Sequence, residues 1–86
     1  MKLDEIIHRK LTESLAPTRL EVINESHLHI GHVGDNGTGE SHYRVVVVSP
    51  HLSGFSRVES QRKIYKILSE EMKNRIHALS INVLEE

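Results

Sequence analysis

His42-Tyr43-Arg44-Val45-Val46-Val47-Val48-Ser49-Pro50 is the stretch on which the fold turns. Four consecutive valines are stiff at χ1 and suit the pleated surface of a strand. A strand that is apolar at every position, not every second one, predicts burial on both faces and a central place in a sheet. Ser49-Pro50 ends it, and Gly54 marks a further turn.

Upstream of this strand lies Ile30-Gly31-His32-Val33-Gly34-Asp35-Asn36-Gly37-Thr38-Gly39-Glu40, which holds four of the chain's five glycines and reads as a flexible loop. Before the loop, residues 18–25 alternate like a strand around Leu20 and Val22, less cleanly at Ile23. Roughly nine to eleven residues between these strands suit an antiparallel hairpin with a long loop. Further back, Leu3, Ile6, Ile7, Leu11 and Leu15 fall on one helical stripe, with Asp4 and Glu5 near the positive helix end. Pro17 stops that helix.

Downstream, Ser56 and Glu59 form a capping-box pattern, followed by a helix with Val58, Ile64, Ile67, Leu68 and Met72 on its apolar face. A break in this helix is expected near residues 58–60. The last strand starts near His77, with Leu79, Ile81 and Val83 pointing one way and Ser80 and Asn82 the other. The second helix is long enough for a crossover, which predicts parallel, right-handed pairing of the last two strands. An α+β domain follows, spanning residues 1–86, with a three-stranded mixed sheet and its helices on one face.

Composition bounds what such a domain does. Its 86 residues are 37% hydrophobic and 27% charged, ordinary for a globular chain, with a core too thin for high stability unless a partner adds to it. Zero cysteines stand against seven histidines. That excludes a disulfide framework, a thiolate zinc finger and a nucleophilic thiol, and fits a reducing compartment. Two tyrosines and one phenylalanine are too few for a base-stacking platform. A net charge of −1 argues against affinity driven by the overall field. No stretch approaches a membrane-spanning helix and no apolar signal run opens the chain, so a cytoplasmic setting is expected.

His27, His29, His32 and His42 lie in or beside the glycine-rich loop. Imidazoles bind zinc, iron or copper, but this spacing lacks the acidic partner of the hydrolase metal motifs. The loop histidines are therefore either metal ligands or ordinary polar loop residues. His77 is either a satisfied, partly buried histidine or a ligand held on a rigid strand, with a loop histidine as its mobile counterpart. Two histidines leave a metal under-coordinated, so further ligands would come from another molecule. A 2Fe–2S cluster with histidines on one iron and thiolates on the other has such a division. Gly31-His32-Val33-Gly34 matches the GxxG of KH domains, but it sits between strands where those domains place it between helices.

From Arg57 to Arg75, six basic residues face three acidic ones, and Arg57, Arg62, Lys63 and Lys66 form either a solvated helix face or a surface for phosphates or an acidic partner. No serine has an acid–base chain around it, so nothing reads as an enzyme.

Larger segments carry a resemblance. Leu20-Glu21-Val22-Ile23-Asn24-Glu25-Ser26, Glu40-Ser41-His42-Tyr43 and the valine strand, Gln61-Arg62-Lys63-Ile64-Tyr65, Leu68-Ser69-Glu70-Glu71-Met72 and Ile76-His77-Ala78-Leu79-Ser80-Ile81 are similar to BolA proteins. The likeness runs from about Leu3 to Val83. It implies a class II KH-like fold, αββααβ, and two roles. One is a non-enzymatic adaptor in iron–sulfur cluster assembly or trafficking and iron homeostasis, paired with a monothiol glutaredoxin. The shared 2Fe–2S cluster would take thiolates from the glutaredoxin and glutathione, and two histidines from this chain. Those two are His77 and His29, with His32 and His42 as alternates. The chain alone is then expected without cluster, as a monomer or weak homodimer. The other role is DNA-binding control of morphology and stress genes through the surface of Arg57, Arg62, Lys63 and Lys66. Relatives usually carry Arg-His-Arg where this chain has Ser60-Gln61-Arg62, so only Arg62 matches.

Overall fold

The computed structural model describes residues 2–26 and 39–84. His27, His29 and His32, and the Gly31–Gly34 string with them, lie outside the described residues.

The element order is α1 (Leu3–Leu15), β1 (Arg19–Asn24), β2 (His42–Val48), a 3-10 turn (Pro50–Leu52), α2 (Arg57–Ile67), α3 (Ser69–Asn74) and β3 (Ala78–Val83). The expected α+β architecture is thus present, in αββααβ order. Strand order is β1-β2-β3, with β1 and β2 antiparallel and β2 and β3 parallel. The valine strand is central, as its apolar run predicts. The helical crossover through α2 and α3 returns the chain to run parallel to β2. Between the described strands β1 and β2 lie residues 25–41, more than the roughly nine to eleven expected.

Register explains the single core. Leu20 pairs with Val47, Val22 with Val45, Tyr43 with Leu79, Val45 with Ile81, and Val47 with Val83, so all of these share one face. Against them pack Leu3, Ile7, Leu11 and Leu15 of α1, Ile64 of α2 and Leu68 before α3. The opposite face carries Glu21, Ile23, Arg44, Val46, Ser80 and Asn82, and among the described residues no helix covers it. Burial on both faces is therefore only half correct. Val45 and Val47 are fully buried, whereas Val46 is half-buried and owes its cover to neighbouring strands.

Helix ends follow their chemistry. Ala16, in the left-handed region at φ 42°, closes α1 ahead of Pro17 and donates its N–H to the Thr12 carbonyl. Ser56 and Glu59 form the full capping box of α2. The helix does not break near residues 58–60. It breaks at Leu68 (φ −99°, ψ 18°), where burying the leucine side chain sets the boundary, without any glycine or proline to announce it. Val58 also leaves the expected apolar face: it is 56% exposed, and Ser60 turns inward in its place. Lys10 Nζ ties α1 to α3, donating at 2.9 and 2.7 Å to the two carboxylate oxygens of Glu71.

Candidate metal and partner-binding site

Ser26 Oγ gathers one end of the sheet. It accepts the N–H of Ser41 at 2.9 Å and that of His42 at 3.1 Å, and donates to the His42 carbonyl at 3.4 Å. Asn24 reinforces the junction: its Nδ2 donates to the Gly39 carbonyl at 2.7 Å, and its Oδ1 accepts the Ser26 N–H at 2.9 Å. The described residues on either side of segment 27–38 are thereby bonded to each other. His27, His29 and His32 fall in the sequence between these bonded ends, outside the described residues.

His77 stands at the same place. Its N–H donates to the Ser41 carbonyl at 2.8 Å, and the Ala78 N–H donates to that oxygen at 3.2 Å. The residue precedes β3 by one position and its side chain is exposed, not partly buried. Its ring lies 5.3 Å from that of His42, centroid to centroid, with a 47° angle between the planes. His42 is 6% exposed, and its Nδ1 lies 2.9 Å from Ser41 Oγ, which fixes the ring behind His77. Among the described residues, no group of three or more His, Cys, Asp or Glu side chains converges as a metal site.

Charge around the junction is ordered. Glu40 Oε2 accepts the Leu3 N–H at 2.9 Å, capping α1 from the far side of the sequence, because Lys2 offers no side-chain cap. Its Oε1 accepts from Arg75 at 3.3 Å. Arg44 Nε donates to Glu25 Oε2 at 3.0 Å on the open face. Beneath them, the Tyr43 hydroxyl is pushed up to about 12, by burial first and by the Glu40 and Asp4 carboxylates next.

The four basic residues do not form one patch beside the histidines. Tyr65 Oη donates to the Leu79 carbonyl at 2.9 Å, bringing the last turn of α2, with Lys66, close to the start of β3. Arg62 lies one turn earlier on the same exposed side. Lys63 Nζ instead lies 5.3 Å from the Phe55 ring centroid. Arg57 begins α2 and lines a cleft with Val48 and Val83, at the opposite end of the sheet from His77.

Periodicity and spacing do not mark Ser26, Ser41, Asn24 or Glu40 as site residues. Their bonds join positions far apart in the chain, and the only signal was their presence in the segments that carry the resemblance.

The comparisons decide the family. A family model described as "BolA-like protein" matches residues 11–86. This chain belongs to the BolA family. An uncharacterized protein of the cobS 5′ region from a Sinorhizobium species is 51% identical, over 94% of this chain and 88% of that protein. The DNA-binding transcriptional regulator BolA of Haemophilus influenzae is 35% identical, over 96% of this chain and 77% of the regulator. Among solved structures, BolA1 from Arabidopsis thaliana matches with a TM-score of 0.87 at 32% identity, over 99% of this chain and 93% of that one. The BolA assignment accounts for the αββααβ order. Among the described residues, no helix is long and apolar enough to cross a membrane.

Proposed function

We propose that this BolA-family chain is a non-enzymatic adaptor for iron–sulfur cluster assembly or trafficking, paired with a monothiol glutaredoxin. The observation that carries the reading is the exposed His77, backed by buried His42 at the Ser26–Ser41 junction. His77 offers one imidazole on a fixed backbone, and the second would come from His29, with His32 or, from β2, His42 as alternates. The donor set fits half of a mixed-ligand 2Fe–2S cluster: imidazole is available, and a chain with zero cysteines leaves thiolates to the glutaredoxin and glutathione. The cluster itself would supply iron and sulfide for transfer. This chain's part is to present neutral imidazoles and dock the partner. Arg62 and Lys66, on the exposed side of α2, are suited to glutathione or partner carboxylates, while Lys63 is turned towards Phe55.

The test is copurification with a monothiol glutaredoxin and glutathione, followed by visible spectroscopy and iron analysis. Wild type is expected to give a heterocomplex whose spectrum differs from that of the glutaredoxin alone. His77→Ala is expected to lose that difference while still folding. An unchanged spectrum and transfer rate in His77→Ala would remove His77 from the ligand set. Binding should weaken as pH falls, since protonated imidazole cannot coordinate.

A second reading is DNA-binding regulation, which the name of the Haemophilus relative supports. It would use Arg62, Lys63 and Lys66, with Arg57 at the far end of the helix. Phosphate contacts predict affinity that falls steeply with salt. Binding that resists competitor DNA supports this reading, and its absence at low salt counts against it.

A further inference from the structure

The end of the sheet remote from His77 holds a cleft of about 570 Å³, within the size range of small-molecule sites. Its lining includes Ser53, Phe55, Arg57, Ser60, Val83 and Leu84, and no carboxylate among the described residues. Arg57 forms no ion pair among those residues. Ser60 is 1% exposed and its side chain borders the cleft. The α2 N-terminus contributes as well. Its capping box engages the N–H groups of Ser56 and Glu59 and leaves those of Arg57 and Val58 to other acceptors.

We propose that this cleft binds a small organic carboxylate with an apolar body. The guanidinium and the hydroxyl supply two donors for the two oxygens of one carboxylate. Inorganic phosphate meets the same donors but brings no apolar body to Phe55, Val83 and Leu84. Phe55, Val83 and Leu84 offer apolar surface to the rest of the ligand, and partly exposed Phe55 and Leu84 are covered when it binds. The site is separate from the histidine junction and does not depend on any cluster.

Amide chemical-shift titration of the full chain tests this, with octanoate, 1-octanol and inorganic phosphate as probes. Octanoate is expected to shift the amides of Ser53, Arg57, Ser60 and Leu84 saturably, while octanol binds about tenfold more weakly or worse. Phosphate should leave them nearly unmoved. Arg57→Gln, at an exposed position, is expected to weaken octanoate about tenfold. Ser60→Ala should weaken it a few-fold, on the order of one neutral hydrogen bond. The proposal is overturned if octanol or phosphate matches octanoate, if Arg57→Gln binds like wild type, or if the shifts fall outside the cleft.

Discussion

The rings of His42 and His77 lie 5.3 Å apart, yet the two residues have opposite surroundings. His42 is buried and held by Ser41, whereas His77 is exposed and, among the described residues, hydrogen-bonded through its backbone. Substitution should separate their roles. His77→Ala removes little packing and is expected to change stability by no more than about 0.5 kcal/mol. His42→Ala empties a buried position and is expected to cost about 1–3 kcal/mol. Urea denaturation of both variants checks this. Equal losses would mean that His77 carries structure rather than chemistry.

Ser26 is the next point of failure. Its hydroxyl accepts two buried N–H groups, those of Ser41 and His42, and Ser26→Ala deprives both at once. Each stranded donor is costly, so a loss of roughly 2–3 kcal/mol is expected. Hydrogen exchange should localise it, with the Ser41 and His42 amides losing protection before the centre of β2. Uniform loss across the sheet, or none, would show that the junction is held by other bonds.

Reading by periodicity succeeded where the cause is local. Leu3, Ile7, Leu11 and Leu15 declare a helix by spacing, and Val45 to Val48 declare a central strand by composition. It failed where the cause is tertiary. Nothing in Leu68-Ser69 marks a helix break, because the break is set by what Leu68 packs against. Val46 looks like a core residue, because a sequence does not say which face a helix covers. At the site, His77 was legible as a residue, but the bonds from Ser26 to Ser41 and His42 connect positions that no short window contains. Arg57 and Lys66 read as one basic stretch, although about nine residues of helix, ~14 Å, separate them.

Lys10 and Glu71 form the bridge between α1 and α3, with side chains 26% and 8% exposed. Because Glu71 is the more buried partner, Lys10→Met strands a carboxylate away from water, and a cost of about 2 kcal/mol is expected. The reverse change, Glu71→Gln, leaves the half-exposed ammonium to solvent and should cost less. A double-mutant cycle on denaturant midpoints measures the coupling. Additive single effects would reduce the pair to a surface contact with no bearing on how α3 is held.

Tyr43 sets the alkaline limit. Its hydroxyl is buried and makes no hydrogen bond among the described residues, and its acidity is shifted from 10.0 up to about 12. The sign follows from which state loses its proton first. Between pH 10 and 12 the unfolded chain ionises at this tyrosine while the folded chain keeps it neutral. The stability contribution is therefore complete below pH 10 and is lost as pH climbs towards 12. Tyr43→Phe removes both the ionisation and the unpaired hydroxyl. At pH 8 it is expected to be neutral or stabilising by up to about 1 kcal/mol, since no bond is sacrificed. Between pH 10 and 12 its advantage over wild type should widen. Denaturant midpoints of the two proteins at pH 8, 10 and 11 decide it: parallel decline would assign the alkaline loss to other groups, and a clear penalty at pH 8 would mean that the hydroxyl has a partner after all.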